Sequence, residues 1–198
     1  MVRIAIFASG GGSNAKEIIK HFAGNTKIKV ALIVSNKSDA GVLRIAQHFG
    51  IQSKVFKKSE FIECEKILGF LADKKIAYII LAGFLLHIPD CFTKAFEKRI
   101  INIHPSLLPK YGGKGMYGHF VHEAVKKNNE KETGITIHLV NEQFDEGEIL
   151  FQKSCNIRED MDADEIAALV LKLEHQYFST TIENYILGSC KVILKSTE

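Results

Sequence analysis

The chain has 198 residues, of which 46% are hydrophobic and 25% are charged, and its formal net charge is +3. This length suits one domain with a full core. The small charge, carried by scattered lysines, excludes a dense basic surface for nucleic acid and allows only a modest preference for anionic substrates. No apolar stretch reaches membrane-spanning length, and the N-terminus is typical of a first strand, so we expect a cytoplasmic protein with no membrane or nucleic-acid partner.

Short apolar runs alternate with amphipathic segments in the first half of the chain. We predict strands at residues 3–8, 28–35, 53–56, 77–82 and 99–104, and helices near 13–23, 41–49, 59–74 and 89–96. This βα rhythm predicts an α/β fold, with a mostly parallel sheet covered by helices on both sides.

The pattern changes after Gly134. Two strands, from Gly134 and at about 149–157, follow each other without a helix between them, so they pair with each other or extend the sheet edge. A long helix at 162–186 and a short strand at 191–194 complete what we expect to be a single domain over residues 1–198.

A glycine loop, Ser9-Gly10-Gly11-Gly12-Ser13-Asn14, joins the first strand to a helix. Gly12, Ser13 and Asn14 can offer N–H and side-chain donors to a phosphate at the helix start. The alternative is a tight turn in which Ser13 caps the helix. The second strand ends without the acid of a dinucleotide site, and there is no P-loop motif, so a single phosphate on a small substrate fits better than NAD or ATP.

A strand end carries the strongest chemical signal. Asn102 and His104 alternate with Ile101 and Ile103, so the amide and the imidazole share one face, and prolines follow directly. An amide donor beside a titratable ring is suited to stabilising an oxyanion and moving a proton. Since ligands of open α/β sheets bind where strands end, we expect residues 12–14, 83–88 and 102–104 to converge.

Other residues near the expected crevice leave alternatives open. The apolar run Leu85-Leu86-His87-Ile88 is either core packing or the wall of a site for a flat ligand. A carboxylate close to His104 would raise its pKa, and the sequence does not choose among Glu142, Asp145, Glu146 and Glu148. We expect His138 to be a hydrogen-bonded structural residue.

Metal and nucleophile chemistry have weak support. His119 and His122 lie one helical turn apart but lack a third ligand, and Ser106 lacks the signature of a nucleophile. We expect all four cysteines to be free thiols.

Four motifs together resemble the phosphoribosylglycinamide formyltransferase family, the folate-dependent enzymes of purine synthesis. The resemblance runs from about residue 2 to residue 190 and rests on Ser-Gly-Gly-Gly-Ser-Asn at 9–14, Leu-Ala-Gly-Phe at 81–84, Ile-Asn-Ile-His-Pro-Ser-Leu-Leu-Pro at 101–109 and Asp-Glu-Gly at 145–147. It implies a Rossmann-like three-layer domain with an antiparallel C-terminal extension, present as a monomer or homodimer.

The resemblance also implies an activity and a set of roles. 10-Formyltetrahydrofolate would donate its formyl group to the amine of 5-phosphoribosylglycinamide, without a metal. Asn102 matches the residue that polarises the formyl oxygen, His104 the general acid, and Asp145 the carboxylate that raises the histidine pKa. The implied contacts to phosphoribosylglycinamide are Gly12, Ser13, Asn14 and Glu174, and those to folate are Lys58, Leu85, Leu86, His87, Ile88, Asn102, Val140 and Asn141.

Two details depart from the family pattern, and a third is a hypothesis about a loop. Leu171 occupies a position, three before Glu174, where family members often carry a basic or amide residue, and Lys58 is only the nearest candidate for the folate tail. The glycine-rich loop at 111–118 is expected to act as a lid.

Three related functions compete with the implied one. Formyltetrahydrofolate hydrolase and methionyl-tRNA formyltransferase share the catalytic core but carry an extra N-terminal or C-terminal domain, and we expect neither here. A non-catalytic phosphosugar- or folate-binding module is disfavoured because Asn102, His104 and Asp145 are all present.

Overall fold

The computed structural model describes residues 1–188, and the predicted strand at 191–194 lies outside them. The chain forms two compact units. The first contains Met1–Asn102 and Val140–Glu142, and the second contains Ile103–Leu139 and the described part of Gln143–Glu198.

Five strands belong wholly or partly to the first unit: β1 (Val2–Phe7), β2 (Ile28–Ser35), β3 (Ser53–Val55), β4 (Tyr78–Leu81) and β5 (Ile100–His104). They are parallel, in the order β3-β2-β1-β4-β5. Ile79 of β4 is in register with Ile100 of β5. The predicted parallel strands are confirmed to within one or two residues at each end.

Apart from the short and largely exposed β3, the strands of the first unit are mostly apolar and buried, as is typical of strands covered on both faces. Residues 4 to 7 of β1 are fully buried. Phe7 packs edge-on against Phe61 and Phe92, with ring centroids 6.1 and 6.4 Å away. These rings fix the helices that carry Phe61 and Phe92 against the strand.

The helices of the first unit are α1 (Ser13–His21), α2 (Gly41–His48), α3 (Lys58–Glu63), α4 (Glu65–Asp73) and α5 (Asp90–Ala95). The single helix predicted at 59–74 is wrong, because the chain breaks at Cys64, whose φ of 55° lies outside the helical region. Cys64 forms a disulfide with Cys91 at the start of α5, with 6.4 Å between their Cα atoms. The expectation of free thiols is therefore also wrong for this pair, whereas Cys155 is a free thiol and Cys190 lies outside the described residues.

The second unit contains α6 (His119–Lys127), β6 (Glu132–Leu139), β7 (Ile149–Asn156) and α7 (Ala163–Ile186). The two strands pair antiparallel, with Ile135 opposite Lys153, which confirms the predicted pairing. α7 begins with a capping box in which Asp162 accepts from the Glu165 N–H at 2.8 Å and Glu165 accepts from the Asp162 N–H at 3.0 Å. Among the described residues, no helix is both long and apolar enough to cross a membrane.

Candidate active site

Asn102 and His104 occupy alternate positions at the end of β5. Their neighbours Ile101 and Ile103 are buried in the core, whereas Asn102 is half-buried and His104 is 4% exposed. The buried isoleucines hold the strand in the core. Because side chains alternate along a strand, Asn102 and His104 then lie on the same face. The burial pattern is consistent with the predicted orientations, in which Ile101 and Ile103 face the core and Asn102 and His104 share the other face.

Two acceptors face the ring of His104. Its Nε2 atom lies 2.7 Å from the backbone oxygen of Tyr111, and its Nδ1 atom lies 3.6 Å from Oδ2 of Asp145. A neutral imidazole has one N–H and so serves one acceptor, whereas the protonated ring serves both. Burial lowers the pKa of His104 below its ordinary value, although Asp145 and the Tyr111 carbonyl favour the protonated form and His138 disfavours it. Burial is the largest of these influences, so the net effect favours the neutral ring, and Asp145 and the carbonyl offset it only in part.

Asp145 lies in the loop between β6 and β7, with a left-handed φ of 56°. Its Oδ2 atom accepts a hydrogen bond from the Gly113 N–H at 2.9 Å, and its Oδ1 atom lies 3.6 Å from Nε2 of His138. Burial by itself would raise the pKa of Asp145, but the interactions with His138, His104 and Gly113 together lower it below the ordinary value. The carboxylate is thus held in its charged form beside His104.

The structure distinguishes the acids that the sequence left open. Glu142, Glu146 and Glu148 are all exposed, whereas the Asp145 side chain is 15% exposed and makes the contact with His104. The backbone turn at Asp145 directs this one carboxylate towards the histidine.

His138 belongs to the same cluster, which the sequence analysis missed. It is 2% exposed, its Nδ1 atom lies 2.9 Å from the Leu139 oxygen, and its other ring nitrogen faces Asp145. The signal available in the sequence was its position on the Thr136 face of β6, shortly before the acidic loop. His138 is therefore hydrogen-bonded, as expected of a structural residue, and it also faces the Asp145 carboxylate.

The start of the glycine-rich loop at 111–118 supports the His104–Asp145 pair. Tyr111 offers its carbonyl to His104, and Gly113 offers its N–H to Asp145. Gly112 packs closely here: a Cβ at this position would lie 2.5 Å from Leu108 Cδ2, which would have to move, and 3.4 Å from Asp145 Cβ. This end of the loop holds both side chains in place, and a lid movement of the loop stays a prediction.

Ser106 has a structural role in the turn after β5. Its hydroxyl donates to the Lys110 oxygen at 2.7 Å, and its carbonyl accepts from Thr136 Oγ1 at 2.6 Å. Thr136 in turn accepts from the Leu108 N–H at 3.0 Å and from Gln152 Nε2 at 2.9 Å. The network fixes the path of the chain that leaves His104.

The two histidines of α6 lie in different environments. Within residues 1–188 there is no group of three or more ligating side chains that would hold a metal ion. His119 lies 3.4 Å from Glu123 and 3.6 Å from Asp164, all at the surface. His122 is 5% exposed, and burial, with smaller effects of His119 and His104, lowers its pKa to about 4.

The glycine loop of the first unit leads into α1. Gly12 is the N-cap with φ 82°, so the alternative in which Ser13 caps the helix is wrong. A Cβ at Gly12 would lie 2.8 Å from Val42, whereas Gly10 and Gly11 are exposed with open space around them. Ser13 is exposed, and α1 has no acidic residue in its first turn. The loop therefore presents open backbone and a helix N-terminus, as an anion site requires.

The loops after β1 and β4 meet, as predicted. Ser9 donates its N–H to the Gly83 oxygen at 3.0 Å, and its hydroxyl accepts from the Leu85 N–H at 2.9 Å. The same hydroxyl donates to Asn36 Oδ1 at 2.6 Å. Ser9 thus links the glycine loop to the segment at 83–88.

The segment Leu85-Leu86-His87-Ile88 is core packing in part, and a ligand wall formed by the rest of it stays a prediction. Ile88 is 3% exposed and belongs to the core, Leu86 is half-buried, and Leu85 is 46% exposed. Val140 is half-buried, and its N–H donates to the Ile100 oxygen at 2.9 Å.

The remaining predicted site residues are placed as follows. Asn14 is buried in α1, Asn141 and His87 are exposed, Lys58 is exposed as the first residue of α3, and Glu174 is 9% exposed in α7.

Comparison with known proteins gives the chain a family. A sequence model described as formyl transferase matches residues 2–182. The chain belongs to the formyl transferase family. The predicted α/β fold, mostly parallel with antiparallel C-terminal strands, is confirmed by the strand pairing and by solved relatives.

The relatives of this formyl transferase bear one recurring name. The chain is 39% identical over 182 residues to the chloroplastic phosphoribosylglycinamide formyltransferase of Arabidopsis thaliana. The match covers 89% of this chain and 62% of that protein. The chain spans about 60% of the length of the plant proteins that it matches. It is 34% identical to the Bacillus subtilis phosphoribosylglycinamide formyltransferase, covering 94% of this chain and 95% of the relative.

Solved structures agree in fold. A phosphoribosylglycinamide formyltransferase from Anaplasma phagocytophilum superimposes with a TM-score of 0.86 at 29% identity, covering 94% of this chain and 88% of the other. The phosphoribosylglycinamide formyltransferase from Brucella melitensis superimposes with a TM-score of 0.83 at 36% identity. The match covers 93% of this chain and 95% of the other.

Proposed function

We propose that the protein transfers the formyl group of 10-formyltetrahydrofolate to the amine of 5-phosphoribosylglycinamide, a step of purine synthesis in the cytoplasm. The observation that carries this proposal is the approach of His104 Nδ1 to Asp145 Oδ2 at 3.6 Å, on a strand end that also carries Asn102. The names of the relatives support the choice of donor and acceptor. We further propose that residues 1–198 act as a single formyltransferase domain.

The chemistry follows from what each side chain can do. Attack of the substrate amine on the formyl carbon gives a tetrahedral oxyanion, which the Asn102 amide and protonated His104 stabilise by donating hydrogen bonds. The attacking nitrogen then loses a proton and the folate nitrogen gains one as the carbon–nitrogen bond to the donor breaks. Asp145 favours the protonated form of His104 against the effect of burial, and it relays protons through water. The transfer is an exchange between two amines and changes no oxidation state.

The glycine loop is the proposed phosphate site. Gly12, Ser13 and Asn14 would bind the phosphate of phosphoribosylglycinamide through the free N–H groups of the first turn of α1. The exposed backbone of Gly10 and Gly11 supports this assignment, since an anion can approach it closely. Glu174 would accept hydrogen bonds from the ribose.

The folate donor is assigned to segments that border β4, β5 and β6. We propose that it contacts Leu85, Leu86, His87, Ile88, Val140 and Asn141, and that Lys58 pairs with its glutamate tail. The exposed apolar surface of Leu85 supports a wall for the pterin ring. Small molecules are the partners in this scheme, and 10-formyltetrahydrofolate is the only cosubstrate.

The decisive experiment incubates the protein with 10-formyltetrahydrofolate in the presence and absence of phosphoribosylglycinamide. We expect loss of the formyl group from the donor, and formylated product, only when the acceptor is present. Formate release that ignores the acceptor would instead identify a hydrolase, and binding without turnover would identify a binding module.

A substitution in the glycine loop tests the phosphate site. Gly11 has open space around it and a φ outside the left-handed region, so Gly11→Ala adds a methyl group without a clash inside the protein. We expect the KM for phosphoribosylglycinamide to rise by about tenfold or more, with unchanged thermal stability. Gly69→Ala, at a similarly open position in α4, is the matched control and should leave the KM unchanged.

A further inference from the structure

Tyr111 holds a backbone conformation that is uncommon for a residue with a side chain. Its φ is 57°, in the left-handed region. Such conformations persist where the surroundings determine them, and they cluster at functional sites. The orientation of the Tyr111 carbonyl depends on this backbone conformation, and that carbonyl receives His104 Nε2 at 2.7 Å. Whatever fixes the Tyr111 backbone therefore also fixes the histidine ring.

The side chain of Tyr111 is anchored to Glu130, at the turn between α6 and β6. The Tyr111 hydroxyl donates to Glu130 Oε1 at 2.9 Å. Lys110 Nζ lies 3.2 and 3.4 Å from the two oxygens of the same carboxylate. Because adjacent residues are tied to one acceptor, the chain at 110–111 is held at two points. Asn128 also interacts with the Tyr111 hydroxyl.

We propose that Tyr111 and Glu130 are positioning residues for His104: their hydrogen bond fixes the Tyr111 backbone, so that its carbonyl holds the His104 ring facing Asp145. The phenol and the carboxylate of this Tyr111–Glu130 latch touch neither the ring nor the reacting atoms. The latch acts only through the carbonyl. Its effect on turnover rests on the proposed formyl transfer, whereas its effect on the histidine ring does not.

Four neighbours set the protonation of His104. Asp145 and the Tyr111 carbonyl favour the charged ring, whereas His138 disfavours it. His122 of α6 is also electrostatically coupled to His104. Loosening the Tyr111 carbonyl removes one of the two stabilising contacts and leaves the opposing ones in place. The His104 pKa is therefore expected to fall when the latch is broken.

The test combines an NMR titration of the histidine rings with steady-state kinetics of Tyr111→Phe. We expect a lower His104 pKa and a fall in kcat of about three- to tenfold, with both KM values unchanged, since positioning and not binding is affected. Tyr177→Phe on α7 loses the same hydroxyl and is the matched control. It should resemble the wild type in both measurements.

Variants of Glu130 separate the hydrogen bond from the charge. Glu130→Gln keeps an oxygen that accepts from Tyr111 and should retain most activity, whereas Glu130→Ala should behave like Tyr111→Phe. Because both residues form one hydrogen bond, the double variant Tyr111→Phe with Glu130→Ala should lose no more than either single change. If Tyr111→Phe or Glu130→Ala alters only thermal stability and leaves the His104 titration and kcat at wild-type values, the latch proposal is wrong. Additive losses in the double variant would also overturn it. An altered His104 titration in a protein that transfers no formyl group would support the latch and reject the proposed function.

Discussion

His104 and Asp145 face each other from the end of β5 and from the β6–β7 loop, with 3.6 Å between Nδ1 and Oδ2. The carboxylate favours the charged imidazole, while burial favours the neutral one. Since burial is the larger influence, the protonated histidine depends on keeping its carboxylate partner. This dependence gives the first prediction.

Asp145→Asn should lower the His104 pKa further and reduce kcat by on the order of 10²–10³-fold, as loss of a group that supports an oxyanion does. The amide keeps the shape of the side chain and so separates charge from packing. NMR titration and steady-state kinetics measure the two effects. Glu146→Gln, an exposed acid beside it, serves as the control. Wild-type turnover in Asp145→Asn would reject its assigned role.

Asp145 also links stability to pH. Its pKa is lower in the folded protein, so its contribution to stability is present above the unfolded carboxyl pKa and is lost as the pH falls through the folded value. Asp145→Asn should therefore reduce the acid sensitivity of folding in that acidic range. Chemical unfolding of both proteins at a series of acidic pH values checks this, and equal slopes would contradict it.

Asn102→Leu tests the amide donor. Leucine has a similar volume but donates no hydrogen bond, and Asn102 is only half-buried, so the fold should tolerate it. We expect kcat to fall on the order of 10²–10³-fold, with a small change in the KM for phosphoribosylglycinamide. Circular dichroism confirms folding. A variant that is folded and fully active would show that another group stabilises the oxyanion.

Much of the fold was predictable because the strands of the first unit, apart from β3, are largely buried. Continuous apolar runs such as Ile28–Ser35 therefore stand out, and the predicted bounds of β2 match the structure. The break at Cys64 was not predictable, because it depends on a left-handed backbone at a residue other than glycine and on a tertiary bond to Cys91. Local pattern specified the elements, and contacts distant in sequence specified their interruption.

The site, like the fold, could be predicted where it depends on local pattern and not where it depends on loop conformation. Strand alternation was enough to pair Asn102 with His104. Selecting Asp145 needed the loop conformation and the Gly113 N–H that holds its carboxylate, which no spacing rule provides. The part played by His138 depends on which atom its ring faces, and strand alternation gives only the side of the sheet.

The Cys64–Cys91 disulfide should contribute to stability. It closes a loop of 27 residues, for which restriction of the unfolded chain predicts about 3–4 kcal/mol. Reduction, or Cys64→Ser with Cys91→Ser, should lower the free energy of unfolding by about 2–4 kcal/mol in urea titrations. Cys155→Ser, at the free half-buried thiol, is the control. Mass spectrometry after alkylation should show two more modified cysteines in reduced than in unreduced protein, and equal numbers would contradict the bond.

His122 should make the fold sensitive to mild acid. Its folded-state pKa of about 4 lies below the ordinary value of 6.5, so the unfolded chain binds more protons between these values. Stability from the neutral ring is fully present above pH 6.5 and is lost as the pH falls towards 4, by no more than about 3 kcal/mol in all. Urea unfolding across this range measures the loss.

His122→Leu should flatten the dependence of the free energy of unfolding on pH, though not fully, since the His104 pKa is lowered too. His119→Gln, one turn earlier and 48% exposed, removes only the smaller effect of that neighbour and should change the slope less than His122→Leu does. An unchanged slope in His122→Leu would show that the ring is protonated in the folded protein.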